Sequence, residues 1–234
     1  MLPDFIIIGA QKAGTTTLYE NLCQHPKIDR CATDEAHYFD RTQYFYNEKP
    51  IKKHLDEYKD LFVREADDHL VFEKTPAYSA FPFIPARIHK VVPNIKLILS
   101  MRNPIDRAYS QYMMEIRVDN EHLPFKKALI EHENYKQYIG RGLYIRIINN
   151  FLKYFNRNQL LLLDFEDIKE RPVYDKIWDF LGIDGCLLES RIESRIADPY
   201  PPMANNTREF LKKLYKEYNN KLFDFLGEDL GWND

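Results

Sequence analysis

Cysteine is scarce in this chain, with three in 234 residues. Cys23, Cys31 and Cys186 are odd in number, and no two stand at C-x-x-C spacing. That argues against a disulfide framework and against a structural zinc site, and leaves three reduced thiols expected to be mostly buried. Long apolar runs are also lacking. Phe5-Ile6-Ile7-Ile8 is far too short to cross a bilayer and follows no basic leader, and no later segment qualifies. The expectation is a soluble, cytoplasmic protein with no membrane insertion. An excess of charge is missing as well: 33 Lys and Arg stand against 36 Asp and Glu, for a net charge of -3. Nucleic acid is therefore disfavoured as a partner, although positive charge can still gather in one cleft. No repeat, low-complexity tract or linker interrupts the chain, so residues 1–234 are expected to form one domain.

What is present is an alternation of short apolar runs and helical spacings. Phe5 to Ile8, ended by Gly9, reads as a strand buried on both faces. A helix follows from Gly14-Thr15-Thr16-Thr17 and ends at Pro26. Residues 29–50 read as loop, rich in the aromatics Tyr38, Phe39, Tyr44, Phe45 and Tyr46. Further strands are expected at 70–74, 96–100 and 160–163. Further helices are expected at 51–62, 84–92, from Asn103-Pro104 to about Arg117, and at 143–155, 175–181 and 207–225. Strands alternating with helices predict a three-layer α/β fold, P-loop-like, with a central parallel sheet flanked by helices.

The strongest local signal is Gly9-Ala10-Gln11-Lys12-Ala13-Gly14-Thr15-Thr16-Thr17, between the first strand and the first helix. Small residues there let backbone N–H groups curl around an anion. The helix N-terminus adds partial positive charge, and the threonine hydroxyls add donors. Against the pattern G-x-x-x-x-G-K-[ST], Gly9, Gly14 and Thr16 fit, but position 15 is Thr and the lysine lies inside the loop at position 12. A nucleotide kinase needs that lysine on the β/γ-phosphates. The shift points to a different anion, or to an ordinary strand–helix turn. A second element, Leu97-Ile98-Leu99-Ser100-Met101-Arg102-Asn103-Pro104, leads into a helix that carries Ser110. Arg102 would stand at the carboxyl end of its strand, where open α/β sheets bind ligands, with Ser110 about two helical turns on.

Gln11-Lys12-Ala13-Gly14-Thr15-Thr16-Thr17 resembles the 5′-phosphosulfate loop of sulfotransferases that use 3′-phosphoadenosine 5′-phosphosulfate (PAPS), in the branch of the heparan sulfate N- and O-sulfotransferases and their bacterial relatives. The Arg102-Asn103-Pro104 turn with Ser110 resembles that family's 3′-phosphate site. Asp34-Glu35-Ala36-His37-Tyr38-Phe39-Asp40 is similar to its Lys-Glu-x-His-Phe-Phe motif, and Glu73-Lys74-Thr75-Pro76-Ala77-Tyr78 to its Glu-Lys-Ser/Thr-Pro-x-Tyr motif. The resemblance implies that Lys12, Ala13, Gly14, Thr15, Thr16, Thr17, Arg102 and Ser110 hold PAPS and release 3′-phosphoadenosine 5′-phosphate (PAP). It also implies that Glu35 is the general base and that Lys74 lies near the transferring group. His37, two residues from Glu35, could orient it or meet the acceptor. The acceptor would be a hydroxyl or amine, on a glycan or a small metabolite, and no metal is required. Gly142-Leu143-Tyr144 and the 160–167 segment resemble family scaffold.

Two departures stand out. Asp34 replaces the family's lysine. The family's Lys-Gly-Arg nucleotide clamp, beside a disulfide, has no counterpart in residues 195–208, which carry Pro199, Pro201, Pro202 and Met203. A small-molecule kinase with an aberrant loop, and a non-catalytic nucleotide-binding protein, stay open as rival readings. Asp164, after the 160–163 strand, is the nearest thing to a kinase's metal-holding aspartate. Lys49, Lys52, Lys53 and His54 form a basic cluster that would suit a sulfated glycan or would be a solvated helix face. The aromatics of residues 38–46 could line an acceptor pocket.

Overall fold

A computed structural model describes residues 1–47, 49–131, 136–188 and 200–233. Five parallel strands form the sheet: β1 (Phe5–Gly9), β2 (Ile28–Arg30), β5 (Leu70–Lys74), β6 (Lys96–Met101) and β7 (Leu160–Asp164), in the order β2-β5-β1-β6-β7. A two-stranded antiparallel ribbon, β3 (Phe45–Tyr46) and β4 (Lys49–Pro50), stands apart. The helices are α1 (Thr15–Leu22), α2 (Lys52–Lys59), α3 (Ile84–Val91), α4 (Pro104–Arg117), α5 (Phe125–Ala128), α6 (Tyr144–Phe151), α7 (Pro172–Leu181) and α8 (Asn205–Leu226).

The three layers follow from strand alternation, because successive side chains leave a strand on opposite faces. Ile6, Ile8, Leu97 and Leu99 enter one core with Ile84 and Ile88 of α3 and Ile148 and Phe151 of α6. Phe5, Ile7, Phe72 and Ile98 enter the other, with Leu18 and Leu22 of α1 and Ile177 and Trp178 of α7. Both faces of β1 are covered, hence its unbroken apolar run. A third cluster joins α4 to α8 through Ile105, Leu211 and Tyr215.

The structure adds elements to the sequence reading. β2 and the β3–β4 ribbon lie in the stretch read as loop. β2 is three residues long and Ile-Asp-Arg in sequence, too short and polar for an apolar run to mark it. The helix expected at 51–62 ends at Lys59, and the one expected at 143–155 ends at Phe151. All three thiols are free, but only Cys31 is buried; Cys23 and Cys186 are partly exposed. Of the aromatics of residues 38–46, Tyr38, Phe39 and Phe45 belong to the core, while Tyr46 is exposed. Tyr38 and Phe39 are buried, Tyr38 stacking on Tyr58 at 4.3 Å and Phe39 meeting Tyr78 edge-on at 5.4 Å. On α2 the basic cluster has carboxylates beside it: Lys52 pairs with Asp56 at 2.7 Å, and His54 Nδ1 lies 2.8 Å from Glu57 Oε2. Among the described residues, no helix is long and apolar enough to cross a membrane.

Candidate active site

β1 lies at the centre of the sheet. The chain leaves it toward β2 and β5 on one side, then resumes at β6 and β7 on the other. This is a topological switch point, and the loops after β1 and β6 meet outside the carboxyl ends of their strands. Their contact is direct: Ala10 N donates to Ser100 O at 2.8 Å, and Arg102 Nη1 donates to Lys12 O at 3.2 Å. Two glycines allow the loop its path. At Gly9 (φ +144°) a Cβ would collide with Ser79 Oγ, and at Gly14 (φ +77°) a Cβ would lie 2.8 Å from the Phe165 ring. Gly14 caps α1 without a capping side chain, and no acidic residue occupies the first turn. That leaves the helix's positive end undiminished for an anion.

Ala13, Thr15 and Thr17 are buried and Thr16 is exposed. Lys12, itself at φ 68°, reaches α4, where its Nζ lies 3.6 Å from Met114 Sδ. Met114 is one turn beyond Ser110, so Ser110 shares the helix face that meets the loop. Burial lowers the Lys12 pKa, and the nearby charges of Arg102, Arg117 and Arg107 lower it further, with Glu115 opposing. Positive charge is thus concentrated here in a chain of net negative charge. Arg102 also stacks on Phe165 at 4.7 Å.

On the other side of the crevice Glu35 and Lys74 meet. Lys74 Nζ, almost fully buried, donates to Glu35 Oε1 at 3.3 Å. His37 Nε2 lies 3.0 Å from Glu35 Oε2, and its Nδ1 lies 2.7 Å from Asp40 Oδ2. Held between two carboxylates, the His37 pKa rises to about 10, despite burial. Burial alone would raise the Glu35 pKa, but the His37 hydrogen bond and the Lys74 charge outweigh it and keep the carboxyl below its ordinary value. His37 is therefore an imidazolium at neutral pH, with both ring N–H groups donating. By linkage, its contribution to folding is complete below 6.5 and is lost as pH rises toward about 10.

Sequence reasoning passed over several residues here. Asp40 stands within the quoted motif, and its three-residue offset from His37 was the available signal. Tyr144, read as scaffold, uses its hydroxyl to accept from Arg102 N at 3.1 Å and to donate to Arg102 O at 2.9 Å, which fixes the turn. Arg107 is fully buried, and its Nη2 donates to Gln137 O at 3.0 Å. Of the stretch compared with the nucleotide clamp, residues 195–199 lie outside the described residues. Its described part packs on α4, with Pro201 O accepting from Tyr109 and Arg208 pairing with Asp106 at 2.8 Å.

Residues 2–200 match the sulfotransferase domain family. The chain belongs to the sulfotransferase family. It is 30% identical over 265 residues to human heparan sulfate glucosamine 3-O-sulfotransferase 3B1, covering 99% of this chain and 65% of that one. The mouse 3-O-sulfotransferase 6 is 27% identical, with 99% of this chain and 74% of the relative covered. Human bifunctional heparan sulfate N-deacetylase/N-sulfotransferase 3 is 29% identical, but this chain spans only 31% of its length. The crystal structure of a sulfotransferase from Alicyclobacillus acidocaldarius superposes with a TM-score of 0.84 at 27% identity, over 100% of both chains. The kinase reading falls with these matches. The lysine missing from position 15 is a property of this sulfotransferase, whose chemistry is sulfuryl transfer.

Proposed function

We propose that this sulfotransferase moves a sulfuryl group from PAPS to a hydroxyl or amine of a glycan, with Glu35 as the base. The observation that carries this reading is the pairing of Glu35 with His37 and Lys74, across the sheet's carboxyl edge from the Lys12 loop. Glu35 stays ionised at neutral pH and has a free lone pair to take the acceptor's proton. The acceptor oxygen or nitrogen then forms a bond to sulfur as the bond from sulfur to the 5′-phosphate oxygen breaks, releasing PAP. Lys12, at the phosphate loop, is suited to balance charge growing on that leaving oxygen, and Lys74 to balance charge on the sulfuryl oxygens. His37, held by Asp40, fixes the direction of Glu35 through Nε2. The loop of residues 10–14, the start of α1, Arg102 and Ser110 fit a donor with a phosphate at each end. The glycan class rests on the heparan sulfate relatives. A screen of heparan sulfate oligosaccharides and small hydroxyl and amine acceptors with radiolabelled PAPS tests the reading. Labelling of none of them, with PAPS bound, would refute it.

Arg102 should distinguish the donor from its analogue. Its guanidinium suits a terminal phosphate because it can donate two parallel bonds. Arg102→Ala should weaken PAP and PAPS binding by about 1.5–3 kcal/mol in calorimetry. The same substitution should matter little for adenosine 5′-phosphosulfate, which has no 3′-phosphate. Equal affinity of the unaltered protein for the two phosphosulfates would remove Arg102 from the 3′ site.

The pH dependence of turnover follows from the same groups. Glu35 titrates below the ordinary 4.5 and Lys12 below 10.5. Turnover should therefore stay flat through neutrality. It should fall in acid as Glu35 takes up a proton, and in alkali as Lys12 and His37 lose theirs. A rate that climbs between pH 6 and 8 would assign the base to a neutral histidine instead.

A further inference from the structure

Glu73 is wholly buried on β5 and forms none of the ion pairs found among the described residues. Its carboxylate is surrounded by hydroxyls. Tyr58 of α2 donates to Oε1 at 2.5 Å, Thr75 Oγ1 donates to Oε2 at 2.8 Å, and the Tyr78 hydroxyl lies 3.2 Å from Oε2. Two of these hydroxyls have a second engagement. Tyr78 accepts from the amides of Tyr38 at 2.9 Å and Phe39 at 3.3 Å, and Thr75 Oγ1 accepts from the amide of His37 at 3.4 Å. Three successive amides of the loop that carries Glu35, His37 and Asp40 thus hang on hydroxyls that all point at one carboxylate.

We infer that Glu73 is the positioning residue of this catalytic loop, acting through the Thr75 and Tyr78 hydroxyls. A hydroxyl has one proton and two lone pairs, whereas an amide N–H can only donate. The relay holds only if both hydroxyl protons turn away from the loop. Burial raises the Glu73 pKa to about 7 against the opposing Tyr58, Thr75 and Tyr78 hydrogen bonds, and in its ionised form the carboxyl, which then only accepts, enforces that direction for both at once. A neutral side chain of the same shape could not. The loop needs such a hold because His37 sits at φ 49°, a region rare for a residue with a side chain and kept only when the surroundings impose it. Glu73 also precedes Lys74, whose side chain leaves the strand on the opposite face. One dipeptide therefore fixes the base from below through the relay and meets it directly through Lys74. Burying a carboxylate with no cation beside it is costly, and this function gives a reason for it. The inference rests on Glu35 and His37 being the working groups of that loop.

The decisive measurement is the titration of His37 by ¹⁵N-detected NMR, assigned with His37→Asn, in the full chain with and without Glu73→Gln. The amide nitrogen introduced by that substitution would bring protons to a site that only accepts, and one hydroxyl would have to turn its own proton toward the loop. His37 should remain an imidazolium at pH 8 in the unaltered protein. In the variant, with its carboxylate partners displaced, it should titrate closer to 6.5. PAP binding by calorimetry should keep its stoichiometry and affinity, which shows an intact fold. Turnover on heparan sulfate oligosaccharide at saturating PAPS should fall on the order of 10–100-fold, the scale of a small misplacement of a reacting group. An unchanged His37 titration in Glu73→Gln with normal PAP binding overturns the inference, because a carboxylate that serves only stability would leave it so. If Glu73→Gln loses PAP binding altogether, Thr75→Val and Tyr78→Phe each remove one relay hydroxyl. Both should reproduce the His37 shift, and neither doing so overturns the inference equally. Full turnover by Glu35→Gln would remove the base assignment alone and leave the His37 titration to judge Glu73.

Discussion

Glu35→Gln should lower turnover by roughly 10²–10⁴-fold, the usual contribution of a positioned general base, while PAP affinity stays within experimental error. The substitution keeps the shape of the side chain and its capacity to accept one hydrogen bond. His37 Nε2, now 3.0 Å from one carboxylate oxygen, could still donate to the amide oxygen. What is lost is the ability to take up the acceptor's proton, a change confined to the transition state, so turnover should fall without a matching change in donor binding. Lys74 supplies an internal check. It is almost fully buried, and Glu35 is its only ion-pair partner among the described residues. Without that carboxylate its ammonium keeps only the Tyr19 ring, 5.6 Å away, so the variant should also be less stable. A variant that kept near-normal turnover would move the base elsewhere, and His37 would be the next candidate only if it titrated near neutrality.

The parts of this site that were legible in the sequence are those where local chemistry and position coincide. Gly9 and Gly14 mark the loop because the backbone leaves no room for a side chain at either. The Arg102 turn is marked by Asn103, whose side chain accepts from Ile105 N at 3.0 Å, followed by a proline that opens α4. β1, β5 and β6 declared themselves by apolar runs because helices cover both their faces. β2 and the β3–β4 ribbon did not: their two or three residues are too few to show a period, and the partner of β2, β5, is remote in sequence. Asp40, Glu73 and Tyr144 were hidden as well. Tyr144 acts on Arg102 across 42 positions, brought to it by the fold, whereas Asp40 and Glu73 touch residues within their own motifs, and what the sequence did not show is their burial and the partners it fixes. Composition did not separate the aromatics of residues 38–46 that join the core, Tyr38, Phe39 and Phe45, from the exposed Tyr46.

Lys12→Ala should harm both steps and yet steady the free protein. Lys12 has no carboxylate partner among the described residues; its Nζ meets only the Met114 sulfur. Burial raises the cost of its charge, and three arginines, at 102, 107 and 117, add to it, with Glu115 opposing. In the free protein the ammonium is therefore a liability, and removing it should raise the melting temperature measured without nucleotide. The gain should be largest at low pH, where Lys12 is fully charged, and should fade as pH rises through its lowered pKa. A phosphosulfate reverses the balance, because its negative charge is what the arginines and Lys12 share. Loss of Lys12 should cost about 1.5–3 kcal/mol of PAP affinity, the scale of a charge-assisted hydrogen bond. It should lower turnover by about 10²–10³-fold as well, the effect of deleting one preorganised donor to a developing anion. Calorimetry with PAP, single-turnover transfer and thermal melts without ligand separate the three effects. A variant that binds PAP poorly but transfers at the normal rate once saturated would confine Lys12 to binding. One that melts lower than the parent would mean that the ammonium is already neutralised in the free protein, and the stored repulsion would not exist. The combination of weaker binding, slower transfer and a higher melting temperature is the signature of a charge placed for the leaving oxygen at the expense of the empty site, the trade between stability and activity expected where a functional group is held against its own solvation.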